Sequence, residues 1–249
     1  MEFSSASHIG KIRKNNEDYC RGEIVETEFG PVGVFAIADG MGGHNKGEVA
    51  SKLAVTNIIK FLKENILKYG NIKLDYMDDV MRQAYNSVNK IIFDRSKESP
   101  EYFGMGTTLV TAIVFEDNLC IANVGDSRGY ILHDRKFDQI TTDHSLVAEL
   151  VSANIITEEE ARVHPQRNRI TRAMGTDSMV AVDIFKYKLR DDDIILMATD
   201  GLTGFVEYKE IRKTIIDNRD DLNKTSESLI NIANDISGKD NVSVILIGI

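Results

Sequence analysis

The chain has 249 residues, enough for one large domain or two small ones, and its 42% hydrophobic content supplies a real core. A net charge of −9 argues against nucleic acid or an anionic membrane as the main partner. The longest apolar runs fall far short of the ~20 residues that span a bilayer, and Met1 to Asn16 holds no apolar stretch of signal-peptide type. A soluble, cytoplasmic protein with no membrane partner is therefore expected. Cys20 and Cys120 lie in strand-like sequence without metal-ligand spacing, and read as free, packed thiols in a reducing compartment.

In chain order, Phe3 to His8 forms a short first strand, and Gly10 to Asn16 is a basic, polar connection. Asp18 to Val25 resumes a strand. The turn Gly30-Pro31-Val32-Gly33 makes the strand ending at Asp39 the return leg of a hairpin. From Gly47 the period changes: Ala50, Leu53, Ala54, Ile58, Phe61 and Leu62 fall at helical spacing, with Lys52, Lys60, Lys63 and Glu64 opposite. Asp75 to Lys97 predicts a second amphipathic helix with Val80, Met81, Ala84, Val88, Ile91 and Ile92 inward.

Leu109 to Phe115 and Leu119 to Val124 form a hairpin across Glu116-Asp117-Asn118. Gly129 to Leu132 and Phe137 to Thr141 continue the meander. From Thr142 to Met174 the chain is polar and helical in short pieces, at Ser145 to Ala153 and Glu158 to Val163, an excursion from the sheet. Val180 to Leu189 and Asp193 to Thr199 return to strands. Glu207 to Asp217 and Asp221 to Ile236 are helices, the second burying Leu222, Leu229, Ile230, Ala233 and Ile236. Val242 to Ile249 is the closing strand.

Strands joined through hairpins predict antiparallel sheets, and two helical pairs suit helices outside them. The expected class is α+β, a four-layer αββα sandwich of two mainly antiparallel sheets flanked by helix pairs. No Pro/Gly/Ser linker, low-complexity tract or repeat divides the chain. Residues 1–249 are expected to form one domain.

The apolar run Val34 to Ala38 ends in Asp39-Gly40-Met41-Gly42-Gly43-His44, and Ile194 to Ala198 ends in Thr199-Asp200-Gly201. A lone carboxylate at the end of a buried strand is costly unless something neutralises it. A divalent cation does so, and glycines let backbone carbonyls approach it. Asp126 follows Val124-Gly125, Asp240 precedes the last strand, and Glu17-Asp18 follow Arg13. Acids at strand ends in five places are what a hard-cation site gathers from distant segments.

These residues resemble the metal-dependent (type 2C, PPM) protein serine/threonine phosphatases, most closely the compact bacterial members. The resemblance rests on Arg13…Asn16-Glu17-Asp18, Ala38-Asp39-Gly40-Met41-Gly42-Gly43-His44…Gly47-Glu48, and Gly104-Met105-Gly106-Thr107-Thr108. It continues through Asn123-Val124-Gly125-Asp126-Ser127-Arg128, Thr142-Asp143-His144-Ser145, Ile170-Thr171-Arg172-Ala173-Met174-Gly175, Ala198-Thr199-Asp200-Gly201 and Asp240-Asn241. Eight motifs in family order, from residue 13 to 241, make coincidence implausible.

The resemblance implies two Mn²⁺ or Mg²⁺ ions in a cleft at one sheet edge. Asp39 would bridge them, the Gly40 carbonyl would bind one, and Asp200 and Asp240 would complete the protein ligands. Asp18 would hold a metal-bound water with Glu17 as an acid behind it, and Arg13 would bind the substrate phosphate. Asp126 with Asp200 would hold a third ion, and residues 143–172 would be a mobile flap. The implied activity is hydrolysis of phosphoserine and phosphothreonine by a metal-activated water, on phosphoproteins that a cellular Ser/Thr kinase produces, by a monomer.

The residue types fit that chemistry. Two cations can activate a water and neutralise phosphoryl oxygens, carboxylates select hard ions, and an arginine fork suits phosphate. Some residues carry alternatives. Alternation lets only one of Glu17 and Asp18 face inward. Arg13 is otherwise one of several surface bases beside Lys11 and Lys14, and Asp126 otherwise binds backbone amides or pairs with Arg128. His44 is either the acid that protonates the leaving alkoxide or a loop hydrogen-bonding residue. Family members that use a histidine acid often carry it directly after Asp-Gly, where this chain has Met41. His144 and His164 read as flap or surface residues. The rival functions are a metallohydrolase of small phosphoesters and a non-catalytic phosphoprotein-binding module. A binding module has no need of the retained carboxylates.

Overall fold

The computed structural model describes residues 1–42, 46–69 and 74–249. One sheet runs in the order β1 (Glu2–His8), β11 (Val242–Gly248), β10 (Ile194–Ala198), β7 (Arg128–His133) and β8 (Lys136–Gln139). The other runs β2 (Asp18–Thr27), β3 (Gly30–Met41), β5 (Leu109–Phe115), β6 (Asn118–Val124) and β9 (Asp183–Lys188), with the two-residue β4 (Gly106–Thr107) beside the end of β3. Every described pairing is antiparallel.

Helices α1 (Gly47–Tyr69) and α2 (Leu74–Ser96) cover the second sheet, and α6 (Tyr208–Asp217) and α7 (Leu222–Ile236) cover the first. The result is the expected α+β sandwich of four layers. Two short helices, α3 (Leu146–Ser152) and α4 (Glu158–Val163), form the excursion outside them, and α5 (Asp200–Thr203) is a single turn after β10. A capping box starts α4, with Glu160 N–H on Thr157 Oγ1 and Thr157 N–H on Glu160 Oε2.

Four layers require three cores, and the strands supply them by alternation. Along β3, Val34, Ala36 and Ala38 face the α1/α2 helices, whereas Phe35 and Ile37 face the other sheet. Along β10, Ile194, Leu196 and Ala198 face α6 and α7, whereas Ile195 and Met197 point to the middle layer. Both faces are covered, so these antiparallel strands are uniformly apolar. The Tyr85 hydroxyl of α2 reaches the Leu109 and Ala122 carbonyls at 3.1 and 2.9 Å, which ties the helix to two central strands.

Two inward assignments fail: Ile91 is 40% and Ile236 51% exposed. Each lies at the margin of its stripe, where the helical period allows either orientation. Both cysteines are free thiols, Cys120 buried and Cys20 partly so, and burial pushes each up to about 12. No helix among the described residues is long and apolar enough to cross a membrane.

Candidate active site

The antiparallel topology brings the strand-end acids together. Asp18 begins β2, Asp39 lies near the end of β3, Asp126 precedes β7, Asp200 follows β10 and Asp240 precedes β11. In alternating strands these starts and finishes fall at one end of the sandwich. Asp18 and Asp39 are directly opposite across the β2–β3 ladder, a like-charge pairing that is unfavourable without a counter-charge.

The neighbours of these acids are mostly other acids. Burial, reinforced by Asp18, Asp200, Asp126 and Asp240, raises Asp39 well above the usual carboxylate range. Burial pushes Asp18 up to about 7, against the opposing pull of hydrogen bonds from Ser243 and Thr199. Burial with Asp200 and Asp143 nearby takes Asp126 up to about 8. Asp200 is raised by burial and by Asp240, and a hydrogen bond with Asp39 partly offsets this.

One oxygen of each of Asp18, Asp126 and Asp200, the Oδ1, is buried without a hydrogen-bond partner. Orphaned buried carboxylate oxygens are costly and ask for a cation or a proton. The donors are oxygens throughout, which fits Mg²⁺ or Mn²⁺. Among the described residues no three acidic, histidine or cysteine side chains already stand as a ligand cage.

The framework around the acids is hydrogen-bonded. Thr108 Oγ1 accepts the Asp39 N–H at 2.8 Å and meets Ser127 Oγ at 2.7 Å, while Thr107 Oγ1 donates to the Asp39 carbonyl at 2.8 Å. Thr199 Oγ1 donates to Asp18 Oδ2 at 2.9 Å, linking the two sheets. Asn241 Nδ2 donates to the carbonyls of Ile9 and Asn15, and its Oδ1 accepts from Glu17 N–H, which fastens the connection that carries Arg13. In the sequence these threonines and Asn241 are motif members with no role of their own. The available signal was the Gly104-Met105-Gly106 turn before Thr107 and Thr108, the Asp200-Gly201 pair after Thr199, and Asp240 before Asn241.

Gly40 is buried at the end of β3, where a Cβ would lie 2.1 Å from the Gly47 carbonyl oxygen. Only glycine permits that approach of β3 to the start of α1.

Asp18 is the inward member of its pair, 6% exposed, and Glu17 is less buried; its proton affinity is raised by burial and by Glu48. Arg13 pairs with Asp240 at 2.8 Å and keeps 47% of its side chain exposed at the cleft. Asp126 does not pair with Arg128, whose guanidinium instead forks onto Asp143 at 2.7 to 3.0 Å. His144 is no surface residue: it is 6% exposed and inserted beneath the excursion. His164 is partly exposed in the excursion. His44 and Gly43 lie outside the described residues.

A cleft of about 910 Å³ extends from Asp126, Asp200 and Asp240 along Val147 and Val151 of α3 to Phe205 and Tyr208 on the opposite wall. Arg162 of α4 reaches Glu207 across it at 3.3 Å. The arrangement offers an acidic floor, a guanidinium at its edge and an open approach.

A family model of protein phosphatase 2C matches residues 6–239. The serine/threonine phosphatase stp of Listeria monocytogenes is 37% identical over 238 residues, spanning 96% of this chain and 92% of the relative. Among solved structures, the serine/threonine phosphatase Stp1 from Staphylococcus aureus aligns with a TM-score of 0.89 at 38% identity, covering 100% of this chain and 94% of Stp1. The catalytic domain of the serine/threonine protein phosphatase PstP, solved in complex with two manganese ions, aligns with a TM-score of 0.83 at 31% identity, covering 98% and 96%.

Proposed function

Since this chain belongs to the protein phosphatase 2C family and is a protein serine/threonine phosphatase, we propose that its acidic cleft is a dinuclear Mn²⁺ or Mg²⁺ site. Asp39, Asp200, Asp240 and the Gly40 carbonyl would hold the two ions. Asp18 would hold the hydration water, and Asp126 with Asp200 a third ion. The observation that carries this reading is the set of buried, partnerless oxygens on Asp18, Asp126 and Asp200. Bound there, the ions would supply positive charge for the phosphoryl oxygens and lower the pKa of an attacking water.

The protein's own residues do the rest. Arg13 is exposed enough to receive a phosphate, and Asp240 holds its guanidinium at the cleft edge. Thr108 and Thr107 fix the Asp39 backbone from both sides, so its carboxylate is aimed by a rigid strand end rather than a loop. Water attacks phosphorus directly, without a serine or cysteine nucleophile. The cleft floor opens under residues 143–172, which we assign as a flap on a single catalytic domain spanning 1–249. Substrates are phosphorylated serine/threonine proteins, the products of a cellular kinase, and the enzyme acts as a cytoplasmic monomer.

Phosphate release from a phosphothreonine peptide with Mn²⁺, with Mg²⁺ and with EDTA, alongside Asp39→Asn, tests the proposal. Release should require the metal, and the variant should lose on the order of 10³-fold or more in turnover, about 4 kcal/mol of barrier. Metal-independent release, or full turnover by a folded Asp39→Asn protein, would remove the dinuclear mechanism.

A further inference from the structure

The turn Val124–Ser127 holds Asp126, and its geometry is secured from the base of the excursion. Gly125 adopts φ +108, a conformation that favours glycine, and a Cβ there would lie 2.6 Å from Thr108 Cβ. Two reciprocal hydrogen bonds join Gly125 to His144: the His144 N–H donates to the Gly125 carbonyl at 2.9 Å, and the Gly125 N–H donates to His144 Nδ1 at 3.0 Å.

An Nδ1 that accepts a backbone N–H leaves the ring proton of a neutral imidazole on Nε2. That Nε2 lies 3.1 Å from Asp183 Oδ2, so it donates there. Arg172 NH1 donates to the other carboxylate oxygen at 2.8 Å and to the Ala181 carbonyl at 3.1 Å, and it stands 2.9 Å from His144 Nε2, into which it cannot donate while that nitrogen carries the ring proton. Burial favours the neutral ring, and Arg172 opposes its protonation further. Thr171 N–H closes the neck of the excursion on the His144 carbonyl at 2.9 Å. His144 thus touches the Asp126 turn, both ends of the excursion and the β9 acid.

We propose that His144 is a positioning residue that sets the Asp126 carboxylate through Gly125, with Asp183 fixing the imidazole tautomer that the clamp requires and Arg172 anchoring the Asp183 carboxylate. This rests on the reading of Asp126 as a cation ligand. The mechanism resembles the way outer partners orient metal ligands: the group never touches the ion, but displacing it moves one that does.

The two amide replacements for histidine separate this role from packing. Asparagine places an acceptor near the Nδ1 position and keeps the Gly125 bond. Glutamine reaches the Nε2 position and keeps only the Asp183 bond, although its bulk is nearer to histidine. Mn²⁺ titration of the chelated protein, with free Mn²⁺ read by its EPR signal, is the measurement, with Asp126→Asn as reference. Asp126→Asn should lose one class of Mn²⁺ site; if its titration matches the wild type, the reading of Asp126 fails.

Given that loss, His144→Gln should weaken the same class by about 10-fold or more, and His144→Asn should stay close to the wild type. Equal wild-type-like titrations for Asn and Gln, or retention by Gln and loss by Asn, would overturn the proposal. Asp183→Ala, which frees the ring to turn while leaving His144 in place, provides a second variant. It should weaken the same sites without altering the other Mn²⁺ class. A wild-type titration of folded Asp183→Ala would remove Asp183 from the mechanism.

Discussion

The two ends of β10 place buried acids in opposite circumstances. At its start Asp193 is 2% exposed and satisfied: Oδ2 accepts the Arg190 N–H at 2.9 Å, and Oδ1 meets His133 Nδ1 at 2.6 Å. Beyond its finish, Asp200 carries an orphaned oxygen among Asp39, Asp126 and Asp240. Each end opens on a cavity, about 490 Å³ beside Asp193 and about 910 Å³ beside Asp200. A buried acid with donors on both oxygens contributes to the fold, whereas a group of acids that raise one another's proton affinity costs the fold something. That cost marks the end where a cation is expected.

The largest contrast should come from Asp193→Ala. It strands the Arg190 amide and the His133 ring, and should destabilise the protein by roughly 2–3 kcal/mol in denaturant unfolding with unchanged turnover. A fall in turnover without a fall in stability would erase the distinction between the ends.

Next in size is the pH dependence of the chelated protein. Asp18 and Asp126 titrate near 7 and 8 in the fold but near 4 when unfolded, so between these limits the folded chain binds more protons. Their penalty is absent below the unfolded value, grows as pH rises above about 4, and is complete once pH has passed 7 to 8. Thermal unfolding in chelator should therefore move to lower temperature from pH 5 to pH 8, and saturating Mn²⁺ should remove the slope. A chelated protein that gains stability over that range would show that the acids do not strain one another.

The smallest effect is expected from Thr199→Val, which deletes the donor to Asp18 Oδ2 and the acceptor for the Ser243 N–H. It should cost about 1 kcal/mol of stability. It should also shift the pH midpoint of Mn²⁺ binding upward, since Asp18 then holds its proton more tightly. An unchanged midpoint would remove Thr199 from the cleft.

Much of this was legible in the amino-acid order. Leu109–Phe115 and Glu158–Val163 are bounded as their local patterns require, and the helix stripes hold except at the marginal Ile91 and Ile236. The two-residue β4 and the single-turn α5 were not legible, because elements that short exist only through their neighbours. The acids announced themselves as carboxylates ending apolar runs, since a strand's alternation and its terminating Asp-Gly are local properties.

Choice of partner was not local. Whether Arg128 met Asp126 or Asp143, whether Arg13 faced solvent or Asp240, and whether His144 lay on the surface or beneath it each depended on segments far apart in the chain. The amino-acid order determined that five strand ends would carry an acid, at the start or the finish of the strand. Only the antiparallel packing of two sheets decided that five such ends would meet, because direction and register are properties of pairs of strands.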